Sequence, residues 1–100
     1  MNLPVVLRRQ AAEEYLAACD YLEARRAGLS RRLVGEVRRI INRISTNPEL
    51  HGKVLRDVRR AAVRRFPYSV FYRVMPDKIE VIAVFHDSRD PAVWQGRAEN

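Results

Sequence analysis

The sequence predicts an α+β domain with the element order β-α-α-β-β-β, in which a helical hairpin packs on one face of an antiparallel sheet. Two observations predict it. Residues 10–46 carry apolar side chains at helical spacing in two segments. Residues 58–86 contain β-rich runs separated by short turns. Helices and strands that are segregated along the chain in this way are typical of an α+β fold, and 100 residues make one domain, 1–100.

The first two elements are a strand and a helix. Leu3–Leu7 is a short apolar run that contains Pro4, which is typical of an edge strand because proline has no N–H to donate. Gln10–Ala27 has a helical period, and Gly28 follows at a position suited to a helix C-terminus. We expect the following side chains to share the buried face of this helix: Ala12, Tyr15, Leu16, Cys19 and Leu22.

A second amphipathic helix follows, with Ser30 as its expected N-cap and Thr46-Asn47-Pro48 as its end. Its apolar face consists of Leu33, Val37, Ile40, Ile41 and Ile44. Its opposite face carries Arg31, Arg32, Arg38, Arg39 and Arg43. The short link between the two helices predicts an antiparallel hairpin.

The last part of the chain predicts three strands, Val58–Arg65, Tyr68–Met75 and Lys78–His86, and a short terminal helix over Pro91–Gly96. The third of these strands is apolar on both alternations, with Ile79, Val81, Ala83 and Phe85 on one face and Ile82 and Val84 on the other. One helix layer covers only one face of the sheet. The other face needs a cover from this chain or from a partner, which indicates a protein that is not normally alone.

The composition favours a binding partner that carries negative charge. The formal net charge is +7, and 17 of the 19 basic residues are arginine. The arginine fork matches phosphate and carboxylate groups, so the surface suggests nucleic acid or an acidic protein partner, the alternative being a solvated basic surface. Cys19 stands alone, and neither histidine has zinc-site spacing. We expect no metal, no cofactor and no membrane segment, and a cytoplasmic location.

Residues 86–90 read His-Asp-Ser-Arg-Asp at the end of the last strand. A Ser-His-Asp triad is not expected there, because contiguous residues do not converge on one point; instead Asp87 and Asp90 are suited to cap the terminal helix. Metal-free RNA cleavage needs an acid, a base and a cation beside the phosphate. His86 offers the acid or base, and Arg65 or Arg89 offers the cation.

Arginine and aromatic side chains on or beside the sheet are the candidate target-binding residues. They are Arg59, Arg60, Arg64, Arg65, Arg73, Arg89 and Trp94. We expect the guanidinium groups of Arg65, Arg73 and Arg89 to face water or a ligand. The alternatives are arginines that deter edge-to-edge pairing of the sheet, and aromatic residues, Tyr68 and Tyr72 among them, that belong to the core.

Three segments resemble the RelE/ParE superfamily of type II toxin–antitoxin toxins. They are Arg65-Phe66-Pro67-Tyr68, Tyr72-Arg73-Val74, and Val84–Pro91 followed by Trp94. The element order and the length are similar too, so the resemblance covers nearly the whole chain. It implies the RelE/ParE-like fold and a toxin bound and neutralised by a cognate antitoxin, a small DNA-binding protein, in a heteromeric complex.

The resemblance leaves two cellular targets. ParE-like members inhibit DNA gyrase, and the His-x-Ser-Arg-Asp-Pro run of residues 86–91 is closer to them. RelE-like members are ribosome-dependent mRNA endoribonucleases; here Ser69 stands where they often place an arginine, and Trp94 is a C-terminal aromatic without a titratable group. Gyrase binding is therefore our expectation, and mRNA cleavage, with His86, Arg65 and Arg89 as catalytic residues, is the alternative. A third hypothesis is an inert basic scaffold from a degenerate toxin locus.

Overall fold

The computed structural model describes residues 2–99, and it has the expected α+β architecture. The helices are α1 (Arg9–Arg25), α2 (Leu29–Thr46) and α3 (Ala92–Gln95), and a 3₁₀ turn, Gly96–Glu99, follows α3. The strands are β1 (Val5–Leu7), β2 (Lys53–Leu55), β3 (Val58–Ala62), β4 (Tyr68–Val74) and β5 (Ile79–His86). No helix among these residues is long and apolar enough to cross a membrane.

The sheet has five strands in the order β1-β5-β4-β3-β2. Strands β3, β4 and β5 are antiparallel neighbours, as predicted, and β2 pairs antiparallel with β3. Strand β1 runs parallel to β5, so the sheet is mixed. Strand β2 was not predicted; it has only three residues and joins β3 through a turn in which Arg56 has a φ of 51°. Strand β3 ends at Ala62 and not at Arg65, because Arg65 has a φ of 70°, outside the range of a strand.

A β-bulge in β5 changes which side chains share a face. Phe71 pairs with Ala83 whereas Tyr72 pairs with Val81, so Ile82 is an extra residue without a partner on β4. Beyond the bulge the alternation is reversed. The helix-facing core therefore contains Ile79, Val81 and Val84, and the opposite core contains Ile82, Ala83 and Phe85. Our prediction that Ile79 and Val81 share a face with Ala83 and Phe85 is wrong for this reason.

The C-terminal segment of the same chain covers the second face of the sheet. Trp94 is 5% exposed and stacks on Phe71, with ring centroids 4.0 Å apart and an interplanar angle of 19°. Ala98 is buried beside it. Arg73 Nη2 donates to the Ala98 carbonyl oxygen at 2.7 Å and fixes the end of the segment. Of the two covers that the sequence allowed, the structure supplies the one from this chain.

The helical hairpin packs on the other face of the sheet. On α2 the buried side chains are Leu33, Val37, Ile40 and Ile44, with Ile41 half-buried, as predicted. On α1 the buried side chains are Ala11, Ala18 and Leu22. The prediction for Leu16 is wrong, since 66% of it is exposed: the buried stripe runs through Ala11, Ala18 and Leu22, and residue 16 lies outside that stripe.

A carboxylate from α1, and not Ser30, caps the start of α2. The N-cap residue is Gly28, whose φ of 92° suits a residue without a Cβ, and Ser30 lies in the first turn. Glu23 accepts hydrogen bonds from the Gly28 amide at 3.0 Å, the Ser30 amide at 3.1 Å and the Ser30 hydroxyl at 2.7 Å. The Gly28 amide first, and then the Ser30 hydroxyl, lower the pKa of the Glu23 carboxyl.

The Glu23 cap predicts a pH-dependent contribution to stability. Its pKa is lower in the folded chain, so the contribution is present above the pKa of the unfolded chain and is lost as the pH falls through the folded pKa. Glu23→Gln should therefore lower the free energy of unfolding at about pH 7, and the difference from wild type should shrink at about pH 3. Chemical denaturation at the two pH values measures this. An equal difference at both would show that the charge of Glu23 has no part in the cap.

Trp94→Ala should remove most of the cover from the second face of the sheet. Loss of a buried tryptophan costs about 3–5 kcal/mol, and here it also exposes Phe71. Val93→Ala is the control on the same helix, since Val93 is 45% exposed and its replacement should cost less than about 0.5 kcal/mol. Urea denaturation of the three proteins measures the difference. Equal midpoints for both variants would contradict a structural role for Trp94.

Candidate target-binding surface

The end of β5 holds the imidazole that the sequence singled out. His86 is half-buried, and its Nδ1 lies 2.8 Å from the Ser88 hydroxyl oxygen and accepts the Ser88 amide hydrogen at 3.1 Å. The ring also contacts Tyr68 edge-on, with centroids 5.0 Å apart. Ser88 and His86 thus make one contact of a triad. Asp87 lies elsewhere, so the described residues form no Ser-His-Asp chain, in agreement with the prediction.

Asp87 belongs to a polar network across the sheet. The buried Ser69 hydroxyl donates to Asp87 Oδ1 at 2.7 Å and accepts from Arg60 Nε at 2.9 Å. Arg60 Nη2 lies 3.8 Å from the same carboxylate oxygen. The expectation that Asp87 caps α3 is therefore wrong. The expectation for Asp90 is confirmed, since its carboxylate accepts a hydrogen bond from the Ala92 amide at 3.0 Å. The network neutralises the charge of Arg60.

Arg89 also has partners within the chain, and it shares its carboxylate with Arg97. Its Nη1 lies 3.4 Å from Glu14 Oε2, and its guanidinium lies over the Phe85 ring, 4.3 Å from the centroid. About half of the side chain, 48%, stays exposed, so Arg89 can still reach a partner. His86 and Arg89 line the same two cavities, but Arg65 lines neither. Of the two cations that the ribonuclease alternative offers, the structure places Arg89 beside His86 and Arg65 away from it.

Three predicted target-binding residues have structural contacts instead. Trp94 is buried on Phe71, and the side chain of Arg73 is only 12% exposed beneath the C-terminal segment, where it also pairs with Asp57 at 3.3 Å. Arg59 donates to the carbonyl oxygens of His51 at 2.7 Å and Glu49 at 3.3 Å, which holds the loop before β2. The expectation that Arg73 faces water, and that Trp94 faces a target, is therefore wrong. Tyr68 and Tyr72 are core residues.

Arg65 lies on a groove between α2 and the turn that joins β3 to β4. The groove encloses a cavity of about 500 Å³ lined by Leu29, Arg32, Gly35, Glu36, Arg39, Arg65 and Phe66. Its α2 residues are three or four positions apart, so they project from one side of the helix. On the turn, Arg65 has a left-handed backbone, with φ at 70°, which few residues other than glycine adopt. The turn therefore directs Arg65 toward the arginines of α2.

A second cavity continues the groove along α2. It has a volume of about 130 Å³ and shares Glu36 and Arg39 with the first. Its remaining lining residues are Ile40, Arg43, His51, Ala62 and Arg64. Burial, and then the neighbouring Arg43, lower the pKa of His51, so its ring is neutral near pH 7 and the positive charge comes from the arginines.

We call the two cavities together the arginine groove. Its arginines are Arg32, Arg39, Arg43, Arg64 and Arg65. All five are exposed, and none forms an ion pair with another residue in the range 2–99. Within residues 2–99, Glu36 is the one carboxylate that lines the groove. By contrast, three arginines on or beside the sheet, Arg60, Arg73 and Arg89, form ion pairs.

The sequence located only part of this surface. Arg64 and Arg65 were predicted to bind a target, whereas Arg32, Arg39 and Arg43 were assigned only to the polar face of α2. Their spacing of seven and then four residues was a readable signal that they line one side of that helix. Among residues 2–99 no group of three or more His, Cys, Asp and Glu side chains is arranged to hold a metal.

Paired and unpaired arginines should respond differently to replacement by alanine. Arg73→Ala should destabilise the fold by about 1–3 kcal/mol, because the buried Ala98 carbonyl loses its donor. Arg65→Ala should change stability by less than about 0.5 kcal/mol, since it removes an exposed, unpaired guanidinium and leaves a Cβ at the same φ. Thermal and urea unfolding measure both. A wild-type midpoint for Arg73→Ala would return Arg73 to the candidate binding residues.

The comparisons with known proteins give one family and one similar fold. A family model described as ParE toxin of type II toxin-antitoxin system, parDE, matches residues 5–91. Eleven chains of solved structures match as well. One of them, the chromosomal ParDE TA system from P. aeruginosa, has a TM-score of 0.73 at 17% identity, covering 84% of this chain and 95% of that chain. No sequence of a curated protein gives a match. The structural likeness, at this identity, shows a common fold.

Proposed function

We propose, since this chain belongs to the ParE toxin family of type II toxin–antitoxin systems, that it inhibits growth by binding DNA gyrase and that a cognate antitoxin neutralises it. The observation that carries the proposal is the arginine groove. Five unpaired guanidiniums on one surface are suited to bind a large anionic target, and they need no catalytic group beside them.

The strand-end cluster supports binding over RNA cleavage. A ribonuclease needs an unneutralised cation next to its acid or base, because the phosphorane gains negative charge in the transition state. Beside His86 the cations are Arg60 and Arg89, and each already faces a carboxylate: Arg60 that of Asp87, and Arg89 that of Glu14, which Arg97 shares. The other imidazole, His51, has its Nε2 buried and so cannot reach a substrate. Arg65, the third residue of the ribonuclease hypothesis, belongs to the arginine groove.

The antitoxin requires a surface of a different character. Protein interfaces bury apolar anchors at their centre and are depleted of charge there. The large apolar side chains that this chain exposes lie outside the arginine groove, and two of them, Leu16 at 66% and Tyr21 at 54% exposed, belong to α1. We therefore place the antitoxin contact on the α1 side of the hairpin and the target contact on the α2 side.

The substitution His86→Ala separates gyrase inhibition from mRNA cleavage. Purified protein is assayed in parallel on gyrase with plasmid DNA and on programmed ribosomes with mRNA. We expect inhibition of supercoiling that His86→Ala leaves within about twofold, whereas an acid or base in catalysis would contribute about 10²–10⁴-fold. Equimolar antitoxin, supplied as the product of the neighbouring gene, should restore gyrase activity.

Two results would contradict the proposal. Codon-specific cuts in mRNA that His86→Ala abolishes, with gyrase unaffected, would establish the ribonuclease alternative. A folded protein that is inactive in both assays, and that binds no product of the neighbouring gene, would identify the inert scaffold of a degenerate locus. Circular dichroism of each variant ensures that a loss of activity is not a loss of fold.

A further inference from the structure

The arginine groove has the chemistry of a phosphate-binding surface. All its cationic residues are arginine, whose planar fork donates two parallel hydrogen bonds to one phosphate group. Arg39 and Arg43 are one helical turn apart, roughly 6 Å along the α2 axis. Successive phosphates of one DNA strand are a similar distance apart, so a strand laid along α2 places one phosphate at each of these two arginines.

The character of the groove favours nucleic acid over an acidic peptide. Protein–DNA interfaces are more polar and more positively charged than protein–protein interfaces, whose centres need exposed apolar anchors. The apolar residues of the groove offer little such surface: Ile40 is 8% exposed, and Leu29 and Phe66 are half-buried. The large apolar side chains that are exposed elsewhere in the chain, Leu16 and Tyr21 among them, are not groove residues.

Gly35 leaves the backbone of α2 open to a ligand within the groove. It lies within α2 and lines the larger cavity of the groove. Glycine weakens a helix interior relative to alanine, and a Cβ at Gly35 would meet no atom within 4 Å. Packing within the chain therefore does not require a glycine here. Because glycine has no Cβ, a ligand in the groove can come close to the α2 backbone at this position.

We propose that the arginine groove binds the phosphodiester backbone of duplex DNA, with the strand following α2 past Gly35. The inference deepens the proposed function and rests on it for its biological setting, because gyrase acts on DNA and a toxin on that complex can contact both. The chemistry itself does not require gyrase: the same groove should bind DNA when gyrase is absent.

The experiment measures binding of a fluorescein-labelled duplex of about 20 base pairs by fluorescence anisotropy over a range of salt concentrations. The groove variant is Arg32→Ala/Arg39→Ala/Arg65→Ala. The matched control is Arg31→Ala/Arg38→Ala/Arg26→Ala, which removes the same charge from exposed arginines outside the groove, two of them on α2 beside the replaced ones. We expect the groove variant to weaken binding by about tenfold or more and to reduce the salt slope by about 3. The control should weaken it less than about threefold.

Gly35→Leu tests the same site without a change of charge. Leucine is a better helix former, so the variant should unfold at a higher temperature, yet its side chain fills the space beside the α2 backbone and should weaken DNA binding. Equal weakening by the two arginine variants would overturn the proposal, because it would show a general attraction between a basic protein and DNA. So would an unchanged Kd for Gly35→Leu.

Two further measurements keep the proposal distinct from its alternatives. A labelled peptide rich in glutamate is titrated in place of DNA, and a groove variant that loses this peptide while keeping DNA would assign the groove to an acidic protein. Gyrase supercoiling is measured separately with each variant. If the protein binds DNA through the groove but does not inhibit gyrase, only the proposed function is contradicted. If it inhibits gyrase but its DNA binding does not depend on the groove, only this inference is contradicted.

Discussion

The contacts of the Glu14 carboxylate hold α1, β5 and the C-terminal segment in their arrangement. Strand β1 ends at Leu7, opposite Val81, and so leaves the edge of β5 beyond the bulge without a neighbouring strand. Glu14 accepts the Val84 amide hydrogen there at 3.1 Å, and Arg97 donates to the Ile82 carbonyl at 3.0 Å while pairing with Glu14 at 2.8 Å. Both side chains are 13% exposed. Removing one partner of such a pair costs about 3–5 kcal/mol of folding stability. The pair therefore contributes strongly to holding these three parts of the chain together.

The position of each carboxylate decides where positive charge remains on the surface. Arginine outnumbers the acidic residues, 17 against 12, so the chain carries more positive than negative charge. Acidic side chains such as Glu14, Asp57 and Asp87 pair with arginines of the sheet and of the C-terminal segment. In the part of the chain that the structure describes, Glu36 is the one acidic side chain in the arginine groove, and it forms no ion pair there. The net charge of the chain is thus concentrated on the α2 side of the molecule, where nothing else in the fold uses it.

Local patterns predicted the elements, and contacts between distant residues decided what the patterns left open. The apolar stripe of α2 and the β4–β5 hairpin followed from period and turn residues, and both are confirmed. The bulge at Ile82 was not readable, because its neighbours on both faces are apolar too. Whether an arginine is free or paired was equally hidden: Arg73 and Arg65 both adjoin aromatic residues in sequence, and only the fold brings Ala98 and Asp57 to Arg73.

The cover on the second sheet face bears on how a toxin of this family can be stable before its antitoxin arrives. Without Trp94 and Ala98, the side chains of Phe71, Ile82 and Phe85 would form an apolar patch, which promotes association. Because the chain closes this face itself, a partner has no need to complete the core. The two surfaces proposed above, the exposed side chains of α1 and the arginine groove on α2, are then both available on a fold that is already closed.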